Sequence, residues 1–244
     1  MDPKPETWSR IDLGLTPYRE AWDIQARLVA AKAEGRLLRD VALFVEHPPV
    51  FTLGRRGGRE HLRVSEEFLS EGGVEVVPIE RGGDITFHGP GQLVIYPLVD
   101  LHRARIGVRD FVTALEEVMI RVSSAQGVTA ERRDLNRGVW VGERKLGSIG
   151  IAVRHGISFH GLALNVNTEL APFDWIDPCG LPGVRMTSLR QELGREVSMD
   201  AIRRCAASAM VEIFGVELEE GSPDRVLADF RNQPPPQASR EQDS

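Results

Sequence analysis

Arg81-Gly-Gly-Asp-Ile-Thr-Phe-His-Gly-Pro-Gly-Gln-Leu-Val-Ile-Tyr-Pro-Leu-Val-Asp-Leu101 joins a flexible turn, a polar cluster around His88, a rigid Gly-Pro-Gly corner and a buried strand. Glycines at 82, 83, 89 and 91 with Pro90 shape backbone rather than fill a core. Glycine allows close approach and positive φ, and proline fixes one dihedral. A loop of this kind leading into a scaffold strand is where ligand contacts are mounted. Arg81, Asp84, Thr86, His88 and Gln92 crowd beside it, which favours a ligand-binding role over an ordinary tight loop.

Outward from that stretch, short strands and a few helices are interleaved. Val41 to Val45, Val50 to Leu53, Val74 to Ile79 and Leu93 to Val99 read as strands, with His47-Pro48-Pro49 breaking the first pair. Val139 to Val141, Ser148 to Val153 and Ser158 to Val166 read likewise, the first two separated by a turn near Gly142. Thr16-Pro17 opens a helix over Tyr18 to Ala33, with Thr16 as the capping residue and an end near Gly35. Val108 to Ala125 carries Phe111, Leu115, Val118, Met119 and Val122 on one face. Ser188 to Gln191 fits a capping box closed by Gly194. Ser198 to Phe214 forms a last helix with Ile202, Cys205, Ala206, Ala209 and Ile213 inward. There is no regular strand–helix alternation, so the expected class is α+β: one domain over 8–221 with a mixed sheet and packed helices. The proline-rich, polar stretch 222–244 is expected to be a disordered tail.

The chain has 244 residues, 27% charged and 41% hydrophobic, with a net charge of −6. That charge argues against a nucleic-acid partner. No apolar run is long enough to span a membrane, and Met1 to Ser9 has no signal-peptide core, so a cytoplasmic location is expected. Cys179 and Cys205 are the only cysteines, and in a reducing compartment both are expected as free thiols.

Cys179 lies in Asp177-Pro-Cys-Gly-Leu-Pro-Gly183, a segment that is neither regular helix nor strand and presents its thiol from a rigid loop. Cys205 sits at a core position of a helix and reads as a small hydrophobe. A thiol of ordinary pKa near 8.5 is only a few per cent thiolate at neutral pH, so a nucleophile needs a neighbouring cation. Lys145 precedes the nearly charge-free run Leu146 to Val153 and is a candidate for that cation; the alternative is a solvated turn lysine. His88 and His160, each followed by glycine, either hydrogen-bond a substrate or organise structure. The histidines and cysteines show no metal-ligand spacing, and no glycine motif matches a phosphate loop or dinucleotide fingerprint. Neither metal nor cofactor is expected. Arg55, Arg56, Arg59 and Arg63 form a basic cluster, either a solvated surface or a steering site for an acidic partner.

Glu46-His-Pro-Pro-Val-Phe-Thr-Leu-Gly-Arg55, Arg81 to Gln92, Lys145-Leu-Gly-Ser-Ile-Gly150, His160-Gly-Leu-Ala-Leu-Asn-Val-Asn167 and Pro178-Cys-Gly180 followed by Thr187-Ser-Leu189 occur together in one order. In these five motifs, over residues 10 to 215, the chain closely resembles the lipoyl(octanoyl) transferases. The resemblance implies a fold related to biotin and lipoate protein ligases. It implies transfer of an octanoyl group from acyl carrier protein to the acceptor lysine of lipoyl domains, those of 2-oxoacid dehydrogenases and the glycine cleavage H protein. Cys179 would then be the acyl-thioester nucleophile and Lys145 the residue that activates it. Arg81, Gly82, Gly83, Asp84, Ile85, Thr86, Phe87, His88, Ser148, Ile149, Gly150, Gly161, Leu162 and Ala163 would line the acyl pocket. Asp84 replaces a glutamine common in that family, and Asp177 an apolar residue. The main alternative is an ATP-dependent lipoate or biotin-type ligase on the same scaffold; a non-catalytic acyl-binding protein is the other.

Overall fold

The computed structural model describes residues 5–222 apart from Leu135 and residues 179–182. Cys179 and nearly all of the expected disordered tail therefore lie outside the described residues. In chain order the elements are β1 (Glu6–Leu15), α1 (Tyr18–Ala33), β2 (Val41–Glu46), β3 (Val50–Leu53), α2 (Glu66–Glu71), β4 (Glu75–Pro78), β5 (Ile85–His88) and β6 (Gln92–Leu98). They continue with α3 (Val108–Ala125), β7 (Glu131–Arg132), β8 (Gly138–Val141), β9 (Arg144–Arg154), β10 (Ile157–Asn165), β11 (Arg185–Met186), α4 (Leu189–Leu193), α5 (Met199–Phe214) and β12 (Val216–Glu220). Short 3₁₀ turns occupy Arg59–His61 and Ala171–Trp175.

The large sheet runs β12-β1-β2-β6-β10-β9-β8-β7, with β11 added beside β9. β1 pairs in parallel with β2 and β12, and the chain from β2 through β6, β10, β9, β8 and β7 is antiparallel. This is the mixed sheet expected from the interleaved pattern. A small second sheet, β4-β3-β5, stands beside it.

Side-chain alternation along the central strands builds a core on each face. Ala42 and Phe44 of β2, Leu93 and Ile95 of β6 and Leu162 and Leu164 of β10 pack with α3 and α5. Val41, Leu43, Val45, Val94, Tyr96, Phe159 and Ala163, one residue out of step, pack with α1. Because side chains alternate with period 2, a strand buried on both faces reads as a continuous apolar run, which is why these strands were legible. The helix face predicted for α3 is buried as expected: Phe111, Leu115 and Met119 are fully enclosed. Leu115→Ala in that packing costs about 2–5 kcal/mol.

Ser188 and Ser198 cap α4 and α5 by accepting from the amides of Gln191 and Ala201, and Gly194 ends α4 in the left-handed conformation. Thr16 does not cap α1. Pro17 holds the capping position without a side-chain bond, and the Thr16 hydroxyl donates to the Leu13 carbonyl. Cys205 is half-buried against the α3–α5 core rather than enclosed in it. The β8–β9 turn has Gly142 first in the loop at φ +56°, as a type II′ hairpin requires. The sequence pattern did not reveal β1, β12, α2 or β5.

Candidate active site

Between the large sheet, the first turn of α1 and the 81–88 segment lies a cleft of about 530 Å³ including its open mouth. Its floor follows from strand register. Ala163 pairs with Ser148 across β9 and with Val94 across β6, and Gly161 pairs with Gly150. Directly paired residues point to one side of a sheet, so these small residues form a groove on the α1 face. A Cβ at Gly150 would sit 2.8 Å from the Gly82 carbonyl oxygen, and one at Gly161 would sit 2.0 Å from that of Ile95. Glycine at both points lets neighbouring backbone close on the groove.

The 81–84 turn forms the lid of this groove. The Gly82 amide donates to the Ile151 carbonyl at 2.9 Å. The Arg81 guanidinium is buried and reaches β3, donating to the Thr52 carbonyl at 2.7 Å and its hydroxyl at 2.8 Å. The Asp84 carboxylate accepts from the Ile85 amide at 2.6 Å and pairs with His61 Nδ1 at 2.7 Å. That carboxylate raises the His61 pKa above its ordinary value, chiefly through this hydrogen bond.

Lys145 closes one end. It is the second residue of β9, 1% exposed, so the solvated-turn reading does not hold. Its Nζ donates to Asn136 Oδ1 at 3.0 Å and stands 5.5 Å from the centre of the Trp140 ring. A buried ammonium needs such partners, because an uncompensated one is costly. The residues before Cys179 are tied down from the 61–63 segment. The Arg63 amide donates to the Trp175 carbonyl, the Asp177 amide to that of His61, and Arg63 forms an ion pair with Asp177.

A cluster of histidine and tyrosine rings closes the other end. His47 Nδ1 lies 2.7 Å from the Thr16 carbonyl oxygen and Nε2 2.7 Å from the Tyr96 hydroxyl. Tyr18 stacks on His88, whose Nδ1 lies 2.7 Å from Gln92 Oε1. His160 adopts φ +56°, its Nδ1 3.5 Å from the Tyr18 hydroxyl, while its buried Nε2 makes no hydrogen bond. Burial lowers the His47 pKa to about 4 and that of His88 to about 3, and lowers that of His160. Burial raises both tyrosines. The cluster is therefore neutral at pH 7, a compatible end wall for an uncharged chain.

Most of the residues expected to line a pocket meet here. Arg81, Gly83, Asp84, Ile85, Thr86, His88, Lys145, Ser148, Ile149, Gly150, Gly161, Leu162 and Ala163 all face the cleft. Phe87 does not: it is on the opposite face of β5, 5.2 Å from the Phe51 ring and 5.5 Å from that of Phe173. Thr86 and His88, one residue out of step with Phe87 along β5, take the cleft side. Gly82 faces a neighbouring cleft instead. The arginine cluster also disperses. Arg59 borders a groove beside Arg19 and Glu75, and Arg63 is engaged by Asp177. Tyr18, Val94, Tyr96, Asn136 and His160 face the cleft without having been assigned to it. Val94 and Tyr96 alternate along a strand that was predicted, so their shared face was a usable signal; Asn136 had none.

Residues 17–211 match the lipoyl protein ligase A/B catalytic domain. The chain belongs to this family. Among curated relatives, an octanoyltransferase of Desulfotalea psychrophila is 49% identical over 207 residues, covering 84% of this chain and 93% of the relative. One of Syntrophobacter fumaroxidans is 44% identical over 210 residues, covering 86% and 92%. Solved structures share the fold. A lipoate-protein ligase A with bound ATP superposes with TM-score 0.71 at 17% identity, covering 91% of this chain and 92% of the other. A bi-partite lipoate protein ligase from Thermoplasma acidophilum gives 0.71 at 17%, covering 92% and 90%. The mixed sheet with packed helices is thus the catalytic fold of lipoate ligases. Among the described residues, no helix is long and apolar enough to cross a membrane.

Proposed function

We propose that this chain is an octanoyltransferase, moving an octanoyl group from octanoyl-acyl carrier protein to the acceptor lysine of lipoyl domains. Those of 2-oxoacid dehydrogenases and the glycine cleavage H protein are the acceptors of choice, and residues 8–221 are the cytoplasmic catalytic unit. The observation that carries this reading is a narrow groove closed by neutral rings at one end and by a buried lysine at the other, in a chain 49% identical to an octanoyltransferase.

Cys179 is the nucleophile. Its thiolate attacks the thioester carbonyl, the bond to the carrier's sulfur breaks, and an octanoyl-Cys179 thioester remains. Lys145 in its ammonium form favours the thiolate and gives a proton to the departing carrier thiolate. Neutral Lys145 then takes a proton from the acceptor ammonium, which is almost wholly protonated near pH 7 before it attacks. Amide formation releases Cys179 as thiolate beside a recharged Lys145, and the second proton of the acceptor ammonium leaves to solvent, so protons and electrons balance over the cycle. No ATP is consumed, since a thioester is exchanged for an amide. Arg81, Gly83 to Thr86, His88, Ser148 to Gly150 and Gly161 to Ala163 hold the acyl chain, and backbone N–H groups beside the reacting carbonyl stabilise its oxyanion.

The test is to incubate the enzyme with octanoyl-carrier protein and apo lipoyl domain without nucleotide, and weigh the lipoyl domain. Octanoylation of the domain is expected. Modification only from free octanoate with ATP would instead make the chain a ligase.

A further inference from the structure

A second cleft opens beside the acyl groove and shares Gly83, Asp84, Asn136, Ile149 and Gly150 with it. It is wide, about 1440 Å³ including open solvent, and four arginines border it: Arg56, Arg109, Arg133 and Arg137. They arrive from three separate stretches: the turn after β3, the first turn of α3 and the segment between β7 and β8. In a chain of net charge −6, four guanidinium groups at one cleft are a local inversion of sign. Asp84 and Asp134 are the acids that border it, and Asp84 is already engaged by His61. Arg137 has only a 3.7 Å approach to Glu116, and Arg133 lies 5.9 Å over the Trp140 ring. Arg56 and Arg109 are exposed and enter no ion pair among the described residues.

We infer that this cleft binds the phosphate of the pantetheine arm that carries the acyl group, rather than the protein surface of the carrier. The inference rests on the transferase reading above and adds a subsite to it. Asn136 is the shared wall: it holds Lys145 at the end of the acyl groove and also borders the basic cleft. An acyl thioester beside Lys145 has the arginine cleft next to it, across the shared wall of Asn136, Ile149 and Gly150. Guanidinium groups recognise phosphate oxygens bidentately and stay charged at any working pH. The four arginines also supply local positive potential toward an anionic donor that the protein as a whole would repel.

The experiment compares octanoyl-phosphopantetheine with octanoyl-pantetheine, identical but for the phosphate, as donors to a lipoyl domain. Wild-type enzyme is expected to favour the phosphorylated donor by roughly tenfold or more in kcat/KM. Arg56→Ala with Arg109→Ala, both at exposed positions, is expected to bring that ratio near one. Calorimetric binding of phosphopantetheine and pantetheine thiols to Cys179→Ala enzyme reads the same preference without turnover. A failure of the transferase reading is thereby told apart from a failure of this one. Equal use and equal binding of the two donors by wild-type enzyme would overturn the inference, as would a preference that survives the double substitution. Tighter binding of ATP than of phosphopantetheine would overturn it too, giving the cleft to a nucleotide. Loss of activity with octanoyl-carrier protein alone, with the small-donor ratio intact, would assign the arginines to the carrier's acidic surface and contradict the phosphate site.

Discussion

Lys145 Nζ and Asn136 Oδ1 are joined by a 3.0 Å hydrogen bond at the junction of the acyl groove and the arginine cleft. The pair places a buried positive charge and its neutral anchor where both clefts meet. Asn136 gives the buried Lys145 Nζ a neutral acceptor, where a carboxylate would add a charge. Asn136→Ala is expected to remove about 1–3 kcal/mol of stability by depriving a buried donor of its acceptor, and to lower kcat roughly tenfold. Asn136→Asp is expected to keep the unfolding midpoint but move the rising limb of the kcat–pH profile upward, because a charged Lys145 is a poor base. An unchanged profile in the Asp variant would remove Asn136 from any role in the proton cycle.

Ala163 sits between Ser148 and Val94 in the row that floors the groove. Ala163→Leu is expected to fill part of that space and shorten the preferred acyl chain. In competition between octanoyl and butanoyl donors, the ratio of kcat/KM is expected to fall roughly tenfold, the equivalent of losing about 1.4 kcal/mol of acyl contact. A proportional loss on both donors would mean that this row does not measure chain length.

Acid should unfold the protein through His47 and His88. Both have folded pKa values depressed below the ordinary value near 6.5, to about 4 and about 3. For a base held neutral by burial, the stabilisation is complete above pH 6.5 and is lost as pH falls toward the folded value, because the unfolded chain binds the proton more readily. For His47 alone the loss is on the order of 3 kcal/mol by pH 4. Denaturant unfolding at pH 7, 6, 5 and 4 is expected to show the midpoint falling most steeply below pH 6. A flat response would mean that water reaches these rings.

His61 has the opposite sign. Asp84 raises its folded pKa, so the stabilisation from the pair is present below pH 6.5 and disappears as pH rises through the raised value. The side chain is partly exposed, so the effect is small and weakened by salt. Asp84→Asn is expected to abolish this alkaline decline in the unfolding midpoint while leaving the acid decline intact. If the two declines disappear together, the pair is not separate from the buried ring cluster.

Legibility from sequence followed burial. β2, β6 and β10 read as strands because both faces are covered, so their apolar runs are unbroken. β1 was hidden because its buried residues, Trp8 and Ile11, are three apart, and Ser9, Arg10 and Asp12 interrupt any alternation. The motif segments 81–88, 145–150 and 160–163 reached the site because each is a contiguous piece of chain. Phe87 was assigned to the pocket with the whole Arg81 to His88 motif, whereas in β5 its ring packs on Phe51 and Phe173. The arginine cleft was invisible because Arg56 and Arg133 are remote in sequence, and the 81–84 turn, bonded both to the 54–56 turn and to β9, brings their segments together only in the fold. The tyrosine and histidine cluster was half visible: His88 and His160 stood out beside glycines, whereas His47 and Tyr18 stood at a strand end and a helix start.

The central claim is a covalent octanoyl group on Cys179 during turnover. Intact-protein mass spectrometry after mixing enzyme with octanoyl-carrier protein, with neither acceptor nor nucleotide present, tests it most directly. The expected result is one added octanoyl mass on wild-type enzyme, discharged when lipoyl domain is supplied, and none on the Cys179→Ala variant. Octanoyl transfer at the wild-type rate by Cys179→Ala, with no adduct on either protein, would contradict it.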